Sequence, residues 1–163
     1  MHPEGHSEEL VSFVEEIGLF YEDLGLTRIW GRVLGYLLVC EPDAQSAEEL
    51  AQVLHVSRGS ISMTTKALVR AGMVERQTVR GDRRTYFRIR PEAWTEVFEE
   101  QIRSAARMRE LAEQGLGLLD NEAAERRRRL EQLQEFTAFY EREIPALLAR
   151  WRTEHQQNIQ QDA

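Results

Sequence analysis

The chain has 163 residues, of which 42% are hydrophobic and 30% charged, and its formal net charge is −7. This length excludes two large independent domains, and the apolar content excludes a wholly disordered chain. The longest apolar run, residues 33–40, is too short to span a bilayer, and no leader pattern opens the chain, so we expect a cytoplasmic protein without membrane association.

Cysteine and histidine are too sparse to form a recognisable disulfide framework or metal site. The single cysteine, Cys40, excludes an internal disulfide, and the four histidines show no spacing typical of zinc ligands. We therefore expect no metal or cofactor. Cys40 ends the apolar run and is interpreted as a small buried hydrophobe, with a redox-sensing thiol as the alternative.

The predicted elements begin with two helices. Ser7 opens an amphipathic helix in which apolar residues recur at helical spacing, and Thr27 caps a second helix that ends before Pro42. Gly31 and Gly35 lie one helical turn apart on the second helix. Because glycine has no side chain, this spacing indicates close packing against another helix.

Two short helices joined by a tight turn follow. The first starts at a capping box formed by Ser46 and Glu49 and covers residues 47–54. The second starts after Ser57, whose side chain is a favourable helix cap, and ends at Gly72, which supplies a left-handed residue. This pattern predicts a helix-turn-helix.

A β-hairpin is predicted next, because the helical period changes to alternation in residues 74–80 and again in 86–90. The intervening segment 81–85, with the sequence GDRRT, is typical of a turn and carries basic charge. Helix, turn, helix and hairpin together indicate a winged helix-turn-helix, so the expected fold class is mainly α with a small β-hairpin wing.

Two long helices complete the predicted fold. Pro91 opens the first, and the second carries apolar residues as far as Trp151. The segment 115–121, which contains two glycines and an Asp-Asn pair, marks the reversal between them. Pro145 is expected to interrupt and kink the last helix, because proline lacks the backbone donor and clashes with the preceding turn.

Positive charge is concentrated in the predicted winged helix-turn-helix. Residues 55–90 contain nine basic and two acidic residues, a net charge of +7 against −14 for the remainder of the chain. A basic segment within an acidic protein is typical of a local phosphate-binding surface. The sequence therefore predicts binding to double-stranded DNA, with one helix in the major groove and the hairpin reaching the minor groove or backbone.

The candidate DNA contacts lie on the second short helix and the hairpin. An outward polar stripe at four-residue steps begins at Arg58, and an inward stripe begins at Ile61. Met63 is a candidate for apolar contact with a thymine methyl, although a packing role is favoured. The full candidate set is Ser57, Arg58, Ser60, Ser62, Met63, Lys66, Arg70, Arg80, Asp82, Arg83 and Arg84.

These residues resemble a known family. The sequence SAEELAQVLHVSRGSISMTTKALVRAGMVERQTVRGDRRTYFRIRP, preceded by TRIWGRVLGYLLVCEP, resembles MarR-type regulators of the GbsR-like branch, which includes mycobacterial repressors of MmpS/MmpL efflux operons. The resemblance covers nearly the whole chain and is loose in the C-terminal helices. Residues 63–65 depart from the arginine and leucines frequent in the family, so a base preference is not transferred.

The resemblance implies a homodimer formed through a helix at 1–26 and helices at 91–163, with the DNA-binding domain at 27–90. It also implies an Asp-x-Arg wing motif, which falls on Asp82 and Arg84. A cavity between the dimerisation helices and the DNA-binding lobe would accept a small hydrophobic or lipid-like effector. The expected function is a ligand-responsive repressor that binds a palindromic operator and controls a transporter or efflux operon.

The same residues support two other functions to different degrees. The segment 59–63 superficially resembles a nucleophile elbow, but it lacks the closing glycine and a preceding strand, so no enzyme is expected. A protein-interaction module with a winged-helix fold remains an alternative, and it would bind duplex DNA weakly even at low salt. The arginine run 126–129 points around a helix and is interpreted as solvated surface rather than as a second DNA contact.

Overall fold

The computed structural model describes residues 3–119 and 124–161, and the chain divides into two compact units, Met1–Ala93 and Trp94–Ala163. None of the described helices is both long and apolar enough to cross a membrane. The elements are α1 Pro3–Asp23, α2 Arg28–Val39, β1 Gln45–Ser46, α3 Ala47–Val53, α4 Arg58–Arg70, β2 Val74–Thr78, β3 Thr85–Ile89, α5 Ala93–Leu118 and α6 Ala124–Gln161. The predicted fold class is confirmed.

Helices α1 and α2 approach each other closely where α2 carries glycines. A Cβ atom at Gly31 would lie 2.6 Å from the carbonyl oxygen of Ile17, and one at Gly35 would lie 3.0 Å from the Cβ of Ile17. The close packing predicted from the two glycines is confirmed. Thr27 stands at the predicted N-cap position of α2, although its side chain accepts no capping hydrogen bond.

Both predicted caps of the helix-turn-helix form. The Ser46 hydroxyl accepts the Glu49 backbone N–H at 3.2 Å, and the Glu49 carboxylate accepts the Ser46 N–H at 2.7 Å. At the start of α4 the Ser57 hydroxyl accepts the Ser60 N–H at 3.1 Å. Gly72 has a φ of 73°, the left-handed conformation that the prediction assigned to it.

The core of the first unit includes the inward face of α4. Ile61 and Leu68 are fully buried, as predicted, and both Thr64 and Thr65 are buried with them. The Thr65 hydroxyl donates to the Ile61 carbonyl oxygen at 2.8 Å, which satisfies its polar atom inside the core. Other buried side chains of this core are Trp30, Val33, Leu34, Leu37, Leu50, Leu54, Met73, Val74 and Phe87.

The predicted hairpin is present, but it belongs to a three-stranded sheet. Strand β1 pairs antiparallel with β3, so the strand order is β1-β3-β2, and Ser46 lies opposite Tyr86. The sequence prediction missed β1 because two residues carry no alternating pattern. Since Ser46 is also the N-cap of α3, this pairing joins the base of the wing to the start of that helix.

Helix α5 continues through the two glycines that were predicted to mark the reversal. Gly115 instead permits close packing with α6, because a Cβ atom there would lie 2.8 Å from the Leu130 Cδ1. No atom of the described residues lies within 4 Å of a Cβ built at Gly117. The Asp-Asn pair at 120–121, also predicted to mark the reversal, lies outside the described residues.

Three further boundaries differ from the prediction. Helix α1 begins at Pro3 rather than Ser7, since a proline in the first turn lacks only an N–H that has no helical partner. Helix α5 begins at Ala93, after a turn that contains Pro91. Helix α6 is continuous through Pro145, so the predicted interruption is wrong; the proline removes a single donor, and the surrounding helix continues.

One member of the arginine run has a structural role that the sequence did not indicate. The Arg127 guanidinium donates to the carbonyl oxygens of Leu116 and Leu119 at 3.1 and 3.2 Å. The Leu116 carbonyl also accepts the Leu119 N–H, so Arg127 adds a charged donor at the C-terminal end of α5, where cations are favoured. Arg128 is exposed and forms no ion pair or side-chain hydrogen bond with the described residues.

Gly31→Ala is expected to destabilise the protein by about 1–3 kcal/mol, because the new methyl group would overlap backbone atoms of α1. Gly117→Ala is the matched control. Its added Cβ meets no atom of the described chain within 4 Å, so alanine, the better helix former, is expected to leave stability unchanged or raise it by up to about 1 kcal/mol. Urea unfolding followed by circular dichroism measures both variants, and equal stabilities would contradict the close approach.

Candidate nucleic-acid interface

Helix α4 presents most of its predicted contacts to solvent. Arg58, Lys66 and Arg70 are exposed, and Ser62 between them is half-buried. Met63 is 71% exposed, so the packing role favoured from the sequence is wrong within this chain. The outer surface of α4 thus combines a polar stripe with one exposed thioether side chain.

Two serines at the start of α4 form the helix cap, Ser57 through its hydroxyl and Ser60 through its backbone N–H. Because Ser57 accepts the Ser60 N–H, one lone pair of its oxygen is occupied. A hydroxyl group retains its own proton when it accepts, so Ser57 still has a donor to offer a phosphate oxygen. Ser57 is exposed and Ser60 is half-buried.

At the wing, Asp82 and Arg84, the two residues of the Asp-x-Arg motif, contact each other directly. The Asp82 carboxylate accepts the Arg84 backbone N–H at 2.9 Å, its Nε at 2.9 Å and its Nη2 at 2.8 Å. The Tyr86 hydroxyl donates to the same carboxylate at 2.9 Å, and the Arg84 guanidinium lies over the Tyr86 ring. Three side chains therefore fix one another at the turn of the hairpin.

A contact between the wing and α3 adds to this cluster. Arg84 Nη1 donates to Glu49 Oε1 at 3.2 Å, while Oε2 of the same carboxylate accepts the Ser46 N–H. The capping box of α3 and the wing thus share one carboxylate. Sequence reasoning missed this contact, because Glu49 and Arg84 are 35 residues apart and no periodic pattern relates them.

These contacts shift the pKa values of the cluster in consistent directions. The hydrogen bonds from Arg84 hold the pKa of Asp82 well below its usual range, and the bond to Asp82 raises the pKa of Tyr86. The backbone N–H of Ser46 lowers the pKa of Glu49, and the nearby Arg84 lowers it further. Both carboxylates are therefore ionised at neutral pH and compensate the charge of Arg84.

Some basic residues of 55–90 form ion pairs with carboxylates, whereas others have none in the part of the chain that the structure describes. Arg58 pairs with Glu48, Arg84 is held as described, and Arg88 pairs with Glu75 at 2.6 Å. Arg76 is one of the basic residues of 55–90 but does not belong to the predicted DNA contacts. Within the described parts of the chain, the basic side chains without an ion pair or side-chain hydrogen bond include Lys66, Arg70, Arg76, Arg80 and Arg83.

A second feature of the first unit is a cavity of about 750 Å³. It lies between α1, α2 and the turn that joins α3 to α4, and its described lining comes only from residues 10–55. The apolar lining includes Leu10, Val11, Val14, Val39, Val53 and Leu54, and the polar lining comprises Glu15, Arg32, Tyr36, Cys40, Glu41 and His55. The cavity therefore offers both aliphatic surface and ionisable groups.

Two residues of the cavity have defined partners. Arg32 forms an ion pair with Glu15 of α1 at 2.7 Å and donates to the Leu54 carbonyl oxygen at 3.0 Å. Cys40 is half-buried rather than buried, and its Sγ lies 3.8 Å from the Leu37 carbonyl oxygen. Burial raises the pKa of the Cys40 thiol, which lowers the proportion of reactive thiolate at neutral pH.

Arg84→Ala is expected to return the pKa of Asp82 toward the ordinary aspartate value of about 3.9, as measured by NMR titration of its carboxyl carbon. The pKa of Asp82 is lower in the folded protein than in the unfolded chain. The contact therefore stabilises the folded protein at any pH above the pKa of the unfolded chain. That contribution is lost as the pH falls through the folded value, so the stability difference between parent and variant shrinks on acidification. Identical Asp82 titrations in both proteins would rule out the contact.

Two family models match separate segments of the chain. A MarR family model matches residues 24–85, which contain the helix-turn-helix, β2 and the turn of the hairpin as far as the first residue of β3. A model described as "MmpR5-like MarR family transcriptional regulator" matches residues 92–154, which include most of the two long helices. The assignment to a GbsR-like branch stays a prediction.

A curated relative and a solved structure extend these matches. The HTH-type transcriptional regulator MmpR5 of Mycobacterium tuberculosis is 42% identical over 147 residues, which span 90% of this chain and 89% of the relative. A crystal structure of a transcriptional regulator is also 42% identical, with a TM-score of 0.80 over 89% of this chain and 99% of that chain. This protein belongs to the MarR family of transcriptional regulators, which are winged helix-turn-helix proteins and not enzymes.

Proposed function

We propose that the protein is a repressor that binds a palindromic operator as a homodimer. Helix α4 enters the major groove, and the β2–β3 hairpin reaches the minor groove or backbone. The observation that carries this proposal is the set of unpaired basic side chains on α4 and the hairpin, in a chain that is otherwise acidic. Unpaired basic side chains that bind phosphates release counterions from DNA, and this release supplies affinity that does not depend on the DNA sequence.

Apolar side chains that the single chain leaves exposed support a homodimer. Helix α1 exposes Leu10, Val11, Phe13, Leu19 and Phe20. The second unit exposes Trp94, Phe98, Met108, Leu111, Phe136, Phe139, Leu147 and Trp151. Exposed apolar sets of this extent are typical of interfaces, and a two-fold dimer would present two recognition helices about 34 Å apart, one turn of DNA.

The regulated genes are proposed to include a transporter or efflux operon. The resemblance of residues 27–91 to repressors of MmpS/MmpL efflux operons supports this assignment. Footprinting on DNA upstream of the protein's own gene and its neighbours tests it directly. Protection of an imperfect palindrome beside a transporter gene is the expected result, and the absence of any protected site would contradict it.

We further propose that the cavity between α1, α2 and the helix-turn-helix turn accepts a small hydrophobic or lipid-like effector. Its volume falls in the range of small-molecule sites, and its mixed lining suits an amphiphile with an apolar tail and a polar head. His55 belongs both to the cavity lining and to the turn before α4, where its φ is 52°. An effector can release DNA only if it binds more tightly to the conformation that does not bind DNA, and the difference between its two affinities limits the effect.

Arg83→Ala is expected to weaken binding to all duplexes and to reduce the slope of log affinity against log salt by about 0.9, because one phosphate contact is lost. Arg128→Ala on α6 removes the same charge from an exposed, unpaired position and is expected to leave both quantities unchanged. Fluorescence anisotropy over a range of salt concentrations measures them. Equal losses in the two variants would contradict the wing contact, and weak parent binding at low salt would favour the protein-interaction alternative.

Val39→Trp is expected to fill part of the cavity and to weaken binding of a dansyl-labelled fatty acid by about tenfold, or 1.4 kcal/mol. Leu38→Trp on the same helix is the matched control, since Leu38 is exposed and does not line the cavity. The fatty acid should release operator DNA from the parent and from the control, but not from Val39→Trp. Equal release from all three proteins would place the effector site elsewhere.

A further inference from the structure

Two neighbouring glutamates in the first turn of α3 hold the two arginines that lie nearest to them. Glu48 pairs with Arg58, the first residue of α4, and Glu49 pairs with Arg84 of the wing at 3.2 Å. Arg58, Arg84 and Glu48 all line one cleft of about 300 Å³ between α3, the start of α4 and the wing. Helix α3 therefore supplies carboxylates to arginines that are candidate DNA contacts.

The two arginines are held to different extents. Arg84 keeps three hydrogen bonds to Asp82 if its contact with Glu49 breaks, and Glu49 remains engaged with the Ser46 N–H. Among the described residues, the Arg58 side chain forms an ion pair or hydrogen bond with Glu48 alone, and the two side chains are 76% and 58% exposed. Exposed ion pairs of this kind are weak, so another anion at the cleft can compete for Arg58.

A DNA phosphate is the anion suited to this competition. Carboxylate and phosphate groups both offer oxygen acceptors that match the guanidinium fork, so the two bind arginine in similar ways. Arg58 stands at the start of the helix proposed to enter the major groove, where phosphates flank the groove. Glu48 competes with such a phosphate for the Nη2 group of Arg58, and its negative charge repels the phosphate.

We propose that Glu48 occupies, in the free protein, the place of a DNA phosphate on Arg58 and thereby lowers the affinity of the protein for DNA. This inference rests on the proposed role of α4 as the recognition helix. Glu48 is an affinity-determining residue in this account. Every duplex that engages Arg58 competes with the same carboxylate, so operator and unrelated DNA are both affected.

The test is a double-mutant cycle of Glu48→Gln and Arg58→Ala. Affinities are measured by fluorescence anisotropy for the footprinted operator and for a scrambled duplex of equal length at matched salt. Glu48→Gln is expected to tighten binding about two- to fivefold, the range for an exposed ion pair. Arg58→Ala is expected to weaken binding, and adding Glu48→Gln to Arg58→Ala is expected to change nothing further.

A charge-matched variant separates competition from general repulsion of DNA. Glu75→Gln also removes one negative charge and the nearer carboxylate partner of an arginine, Arg88, which keeps Asp43 at 3.8 Å. None of these residues lines the cleft. Glu75→Gln is expected to tighten binding less than Glu48→Gln does. Equal tightening by Glu75→Gln, or the same gain from Glu48→Gln with and without Arg58→Ala, would overturn the proposal. Far-UV circular dichroism checks that all variants are folded.

The cycle also distinguishes this proposal from the proposed function. If Arg58→Ala binds both duplexes as the parent does, the assignment of Arg58 as a DNA contact fails. If Arg58→Ala weakens binding while Glu48→Gln leaves it unchanged, the DNA contact stands and the competition by Glu48 is refuted.

Discussion

Glu49 divides its two carboxylate oxygens between two parts of the winged helix-turn-helix. One oxygen accepts the backbone N–H of Ser46, which ends β1 and caps α3, and the other accepts a guanidinium N–H of Arg84. From Arg84 the contacts continue to Asp82 and Tyr86 at the hairpin. A chain of charge-assisted hydrogen bonds that meets at one glutamate therefore connects the wing to the helix-turn-helix, beside the pairing of β1 with β3.

The carboxylates of α3 divide the basic side chains of the interface into paired and unpaired ones. Arginines beside the first turn of α3 are compensated by carboxylates, whereas Lys66, Arg70, Arg80 and Arg83 have no such partner in the described structure. The net charge of residues 55–90 alone does not distinguish these groups. A compensated arginine exchanges one anion for another when it meets a phosphate, while an uncompensated one gains a partner, so equal charges contribute unequally to affinity.

Sequence reasoning succeeded where an interaction joins residues close in the chain. The caps at Ser46 and Ser57 are contacts at a spacing of three, and the glycines of α2 follow a helical period. It failed for β1, which is too short to show a period, and for the bond between Glu49 and Arg84, whose residues only the fold brings together. The exposure of Met63 likewise depends on which surface of α4 other elements cover, and the spacing of residues within the helix does not determine that.

Arg32 gives the first unit a mechanical property that its helices alone would lack. Its side chain bridges Glu15 on α1 and the Leu54 carbonyl oxygen, which ends α3 at the helix-turn-helix turn. A displacement of α1 away from the turn must break one side of this bridge and leave a partly buried cation with fewer partners, which is costly. A displacement of the N-terminal helix is therefore coupled, through Arg32, to the turn that directly precedes α4.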